Sequence, residues 1–427
     1  MDEMLYWLWL SLCCTPDSGT FAKLIAHFDG AEAIYKADIK EISRVIGYNS
    51  SDRTSLADKS LERAEQIYAF CKKHNVGILA YPSERFPNAL REIPTPPVLL
   101  YYRGVLPDFN KELFVAAVGT RSLSSYGRKN AFKVSYDLAT AGATVVSGMA
   151  TGIDGVALAG ALAAGRHVVA VIGSGIDVCY PPQHQRLARE IVKTGCVLTE
   201  YAPGTRPDRY NFPKRNRIIS GISAATLVFE GRERSGALIT ARHAKAQGKT
   251  IYAMPGNVGS PQSELPSLLL KDGAKLFTSA DDIIRDFSAG YGGILNPFAL
   301  KCDLPVDMMS VLTELSVVCL CQGDPVFAQP RRKTGEKPGT APRKIAENRP
   351  DESPSEPAPT VVSEPPMGFD AAALRLYKRI PPEGDISVEE LVVEGETLRE
   401  VMKSLLKLEM GKFVTMLPGD RVARKSK

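Results

Sequence analysis

The chain has 427 residues, 44 % hydrophobic and 24 % charged, enough apolar material for two or three domains with a sizeable core. Its formal net charge is only +5, so a nucleic-acid partner cannot be inferred from bulk charge and would have to be met by local clusters. Of the eight cysteines none forms a CxxC pair, and Cys319 and Cys321 lack the second pair or nearby histidine of a zinc site, so reduced thiols in a cytosolic protein are expected.

Residues 4–14 form an apolar run after Asp2 and Glu3. The run is too short to cross a bilayer and lacks the basic start of a signal peptide, so it reads as a buried first helix. Up to about residue 80, apolar positions such as Leu24, Ile25, Phe28, Ile34 and Tyr35 recur at helical spacing, punctuated by Gly30 and Gly47. This is a small helical module. Prolines at 82, 87, 94, 96 and 97 then bias residues 81–112 to extended backbone, with a short strand at 98–102 and a turn at Gly104.

From 113 to 280 strand and helix alternate. Runs at 113–118, 144–147, 168–172, 197–200, 226–229 and 250–254 have the composition of buried parallel strands. The helical patterns between them end on Gly142, Gly165, Gly195 and Gly248, as left-handed C-caps do. The alternation predicts an α/β fold with a doubly wound, Rossmann-type parallel sheet. Residues 281–321 read as a partly ordered tail. Residues 322–366 are dominated by Pro, Glu, Lys, Arg and Ser, the composition of a disordered linker. Beyond 367, helices are expected at 371–380, from Ser387 with Glu390 three residues on, and at 398–408. Strands at 412–416 and 421–423 follow, around Pro418-Gly419. Three helices and a β-hairpin make a winged-helix pattern.

In open α/β sheets ligands sit beyond the carboxyl ends of the strands. After the first strand come Gly119, Thr120 and Arg121, a turn from which a guanidinium can bond two phosphate oxygens or, equally, pair a structural carboxylate. After the second, Ser147, Gly148, Gly152 and Asp154 belong to a glycine-rich turn entering a helix, where backbone N–H groups favour anions; as a plain βα turn, Asp154 would simply cap it. The turn is neither a GxGxxG fingerprint nor a P-loop. The third strand ends at Gly173-Ser174-Gly175. Residues 204–217 carry Arg206, Arg209, Lys214, Arg215 and Arg217 against one acid, Asp208, with Tyr210 and Phe212 interleaved. Cations for phosphates beside rings for bases suit single-stranded nucleic acid; a solvated basic loop is the alternative. Asn216, next to Ile218 and Ile219, is expected to face inward. Ser235 and Gly236 open another helix at the same edge. No Gly-x-Ser-x-Gly elbow or HExxH helix occurs and the five histidines are scattered, so neither catalytic nor metal-binding residues are assigned.

Taken together, Gly119-Thr120-Arg121, the stretch 147–154, Tyr180-Pro181, the stretch 212–219, the stretch 235–240 and Pro255-Gly256 resemble, in order and spacing, the DprA family of DNA-processing proteins, also called Smf. The resemblance spans roughly residues 5–280 and, more weakly, 370–425. It implies a helical module over 1–80 like a sterile-alpha-motif or helix-hairpin-helix domain, an extended Rossmann domain over 81–285, a tail and linker over 286–366, and a winged helix over 367–427. It implies a cytoplasmic homodimer, with no cofactor, that binds single-stranded DNA and loads the RecA recombinase during natural transformation and homologous recombination. By motif, Arg121 would clasp a phosphate, Arg209 would match a basic position, Phe212 would stack a base, and the turn 147–154 would line the same pocket. Where the family carries Ser-x-Gly-x-Asn, this chain has Ser263-Glu264-Leu265-Pro266-Ser267-Leu268, so a turn of its own shape is expected there.

Two other functions compete. Nucleoside-monophosphate phosphoribohydrolases share a related Rossmann arrangement, but their Pro-Gly-Gly-x-Gly-Thr-x-x-Glu signature is absent, and Pro255-Gly256-Asn257 fails at the third glycine. A duplex-binding regulator would use 397–408 as its recognition helix. There Arg399, Lys403 and Lys407 stand with Glu400, and Glu409 follows.

Overall fold

A computed structural model describes residues 2–301 and, towards the C-terminus, 371–381, 385–391, 393, 400–401, 404–405, 408–409, 413–417 and 421–424. The expected linker at 322–366 lies outside these residues. The two groups fall in separate compact units.

The first unit is built on a nine-stranded sheet: β1 Gly77–Ala80, β2 Leu99–Gly104, β3 Phe114–Val118, β4 Thr144–Ser147, β5 Val168–Val171, β6 Cys196–Thr199, β7 Ala225–Val228, β8 Thr250–Ala253 and β9 Lys275–Leu276. Their order is β1-β2-β6-β5-β4-β3-β7-β8-β9. From β6 to β9 every pairing is parallel, while β2 runs antiparallel to β6 and β1 antiparallel to β2. The central strands are buried on both faces because alternate residues feed two cores. Val115, Ala117, Val145 and Ala170 point to one, and Ala116, Val118, Val146 and Val169 to the other.

The helices Ser125–Thr140 and Ile153–Ala163 cover the first face, and Asn211–Ile222, Gly236–Ala246 and Glu264–Lys271 cover the second. That is the doubly wound arrangement the alternation predicts. The chain leaves β3 in one direction through β4, β5 and β6, then returns to place β7 on its other side. The carboxyl ends of β3 and β7 therefore flank the topological switch point, where open sheets form a crevice.

Six helices precede β1. The first, Glu3–Cys13, buries Trp7, Leu8, Trp9 and Leu10, and Trp9 donates its indole N–H to the Asp58 carbonyl at 2.8 Å. This apolar run is a buried first helix, as its length and flanks require. Its core is continuous with one face of the sheet through residues such as Leu99, Tyr101 and Val197.

Several expectations are corrected. Strands β1 and β9 escaped sequence reading because four and two residues carry too little pattern. At the start of the stretch expected to be a partly ordered tail, the chain forms a regular helix, Ala280–Tyr291. A capping box between Ser279 and Asp282 starts it, and Ile283 and Ile284 anchor it in the core. Gly142, Gly165 and Gly248 have positive φ as expected of C-caps, but Gly195 has φ −121°. It is needed for close approach instead, since a Cβ there would lie 2.2 Å from the Val168 carbonyl oxygen. At 263–268 the chain forms a 3₁₀ turn, Pro261–Ser263, running into Glu264–Lys271. Backbone bonds of 2.7 Å from Gly231 N–H to Gln262 and 2.9 Å from Leu265 N–H to Gly231 hold it against the loop after β7.

In the second unit the helix Ala371–Arg379 accompanies β10 Asp385–Ser387, β11 Val414–Leu417 and β12 Arg421–Arg424, an antiparallel sheet ordered β10-β12-β11. Leu376, Tyr377, Ile380, Val388, Leu405 and Val422 form its core. Ser387 ends a strand rather than capping a helix, because Ile386 pairs opposite Val422 and draws its neighbours into the sheet.

Candidate nucleic-acid interface

A cleft of about 550 Å³ opens at the switch point. The turn after β3 (Gly119, Thr120, Arg121), the loop and helix start carrying Arg209, Phe212 and Arg215, and the helix N-terminus at Ser235-Gly236 all line it. Three separate sequence motifs thus meet at one sheet edge. Arg121 and Arg209 are exposed at the rim.

The turn after β4 forms part of the floor. Gly152 has φ +90°, a conformation glycine adopts without a Cβ penalty, and a Cβ there would lie 2.2 Å from the Thr120 carbonyl oxygen. Ile153 N–H then bonds that carbonyl at 3.1 Å, tying the turn of Arg121 to the next helix. Ser147 is buried and donates to the Ala117 carbonyl at 2.6 Å, so it braces β4 against β3.

Beneath the turn Gly148 stands between two buried residues of opposite charge type, Asp154 and Arg215. Gly148 N–H donates to the Asp154 carboxylate at 3.1 Å, and its carbonyl accepts from Arg215 Nη1 at 3.0 Å. A Cβ on Gly148 would fall 2.6 Å from Asp154 Oδ2 and 2.7 Å from Arg215 Nη2. Arg215 also donates to the Val171 carbonyl and, at 3.1 Å, to Asn216 Oδ1. Burial pushes the Asp154 carboxyl up to about 6, against the pull of Arg215, and lowers the Arg215 guanidinium to about 10.

The aromatic wall is a pair. Phe212 and Tyr180 lie with centroids 5.5 Å apart and planes tilted by 33°, and Tyr180 is 40 % exposed. Arg121 and Arg215 stand 5.8 and 5.9 Å from the Phe212 ring centre, within cation–π range. Gly173 makes room for this ring, since a Cβ on it would meet Phe212 Cδ1 at 2.8 Å.

The family model described as DNA recombination-mediator protein A matches residues 77–288. DprA of Streptococcus pneumoniae is 42 % identical over 202 residues, which cover 47 % of this chain and 71 % of that protein. The chain belongs to the DprA/Smf family. Smf of Synechocystis sp. is 28 % identical over 433 residues, covering 99 % of each chain. The X-ray structure of S. pneumoniae DprA covers 67 % of this chain and 98 % of its own, at 31 % identity and a TM-score of 0.57. The large, mostly parallel sheet is therefore shared with a solved DprA.

Within this DprA/Smf chain the cleft gathers Gly119, Thr120, Arg121, Asp154, Arg209, Phe212, Arg215, Ser235 and Gly236, and Gly148 lines an adjoining pocket with Arg121 and Phe212. Ser147, Gly152 and Gly173 support the lining from behind. Lys214 is half-buried and does not line the cleft. Arg217 departs furthest from expectation. It is 1 % exposed and forms a bidentate pair with Glu200 at 2.8 and 2.7 Å, with Asp17 3.7 Å away. It holds the base of its helix, because the helical turn that points Phe212 outward points Arg217 inward. Asn216 is half-buried and lines the cleft, contrary to its assignment as an inward residue. Sequence reading also left out Tyr180 and Thr240. Both lie within quoted motifs, Tyr180 in Tyr180-Pro181 and Thr240 in the stretch 235–240, but neither was singled out as a site residue.

Proposed function

We propose that this DprA/Smf protein binds single-stranded DNA in the switch-point cleft, as a cytoplasmic homodimer that hands the strand to a RecA-type recombinase. One observation carries the binding reading: exposed Arg121 and Arg209 flank the Phe212–Tyr180 pair at an edge of glycine turns and helix N-termini. Cations suited to phosphates stand beside rings suited to bases, the combination that holds single strands without reading their sequence. A cleft of about 550 Å³ suits splayed nucleotides better than a stacked duplex. The description of the family model as a recombination mediator supports the hand-over. In this reading the protein is a binding protein rather than an enzyme. Its second unit is a winged helix that contacts protein.

The test is equilibrium binding of a labelled single-stranded oligonucleotide and of its duplex over a salt series. A clear preference for the single strand, with affinity falling steeply as salt rises, is expected. Equal affinity for both forms would move the binding site to the second unit. Sustained base release from a nucleoside monophosphate would replace the binding reading with an enzymatic one.

A further inference from the structure

Glu230 stands just beyond β7 and is 5 % exposed, yet no cation pairs with it among the described residues. Its bonds run instead to both ends of the turn that carries Arg121. The Glu230 backbone carbonyl accepts from Thr120 N–H at 2.8 Å. Its carboxylate accepts from Ser124 N–H at 3.0 Å and from the Ser124 hydroxyl. Ser124 is also the N-cap of the helix Ser125–Thr140, where its side chain accepts from Gly127 N–H at 3.1 Å. That helix has no acidic residue in its own first turn. The Glu230 carboxylate, brought from another strand, supplies the negative charge that the positive end of a 16-residue helix favours. Gly127 leaves room for it, because a Cβ there would fall 2.2 Å from Glu230 Oε2.

Arg121 depends on this bracket. Among the described residues its guanidinium has no hydrogen bond or ion pair, and it stands 5.8 Å from the Phe212 ring centre. The reach of such a side chain is set by where its backbone stands, and the backbone here is held at Thr120 and Ser124 by one residue. The loop that follows Glu230 leads to Ser235 and Gly236, which line the same cleft. Glu230 thus joins two parts of the lining that come from different strands.

We infer that Glu230 is a positioning residue for single-strand binding: it brackets the turn 120–124 and so sets where Arg121 meets a phosphate. This inference rests on the single-strand reading and adds to it a buried acid that touches no strand itself.

The test uses the full chain and a labelled thymidine oligonucleotide over a salt series. Gly127→Ala suits the helix it sits in and pushes aside only the flexible end of Glu230, so it should stay folded, as melting curves would show. It is expected to bind about tenfold more weakly, the effect of losing one hydrogen bond to a charged group, and to reduce the salt slope by about 0.7, one phosphate contact. Glu230→Ala should do the same. Glu230→Gln keeps an acceptor for Ser124 N–H and should recover most of the loss. In an Arg121→Ala background neither Gly127→Ala nor Glu230→Ala should weaken binding further, because the contact they misplace is already gone. If Arg121→Ala weakens binding while folded Gly127→Ala and Glu230→Ala bind as wild type does, the positioning role is refuted and the single-strand reading stands. Equal losses in both backgrounds with an unchanged salt slope would also refute it, since a loosened fold acts on every contact alike. Absence of single-strand binding by wild type would overturn both.

Discussion

Arg121 and Arg217 both sit in basic family motifs, yet their surroundings give them opposite work. Arg217 is buried against Glu200, and its removal would leave that carboxylate unpaired in the interior. Arg217→Ala should cost about 3–5 kcal/mol of stability, read by urea denaturation. Arg121 faces solvent, so Arg121→Ala should change stability by no more than about 0.5 kcal/mol. The same change should weaken single-strand binding and reduce the salt slope by about 0.7, one phosphate contact. Asp154 supplies a pH prediction. Burial raises its carboxyl from 3.8 to about 6 in the folded protein, so between these values the folded state binds more protons than the unfolded one. Stability should therefore fall as pH rises through that window. Asp154→Asn, which keeps an acceptor for Gly148 N–H, should flatten that part of the curve.

At the scale of elements, the glycine turns join two demands, close backbone approach and room for a neighbouring ring. Gly173→Ala puts a methyl group 2.8 Å from the edge of Phe212, and a side-chain ring can move aside cheaply. This variant should keep its melting temperature and lose single-strand affinity, because the displaced ring no longer faces Tyr180. Gly152→Ala behaves differently. Its positive φ and the 2.2 Å approach to the Thr120 carbonyl cannot both be relieved by a rotamer change. A loss of about 2 kcal/mol or more is expected, together with weaker binding as the Arg121 turn shifts.

For the whole molecule, the contrast lies between a shared core and a separate one. The N-terminal helices and one face of the sheet belong to a single apolar cluster, with Phe21 and Tyr81 edge to face at 5.2 Å. Deleting residues 2–76 would expose that sheet face to water, and the remainder should melt early or aggregate, as light scattering would report. The C-terminal residues have their own core and their own unit. Deleting 367–427 should leave both the first melting transition and the single-strand affinity close to those of the full chain. A large loss of affinity in that deletion would place the DNA site outside the switch-point cleft.

Short range and periodicity determined much from the sequence alone. Val- and Ile-rich runs such as 144–147 are buried on both faces wherever they pair, so they declared the parallel sheet, and glycine turns pointed to the edge at which the cleft opens. Arg121, Arg209 and Phe212 were legible because their side-chain chemistry is local. Only the tertiary structure decided which basic residues reach that edge. A helix rotates its side chains by a fixed angle per residue, and the packing of Ile218 and Ile219 sets its phase, turning Arg217 into the core and Asn216 toward the cleft.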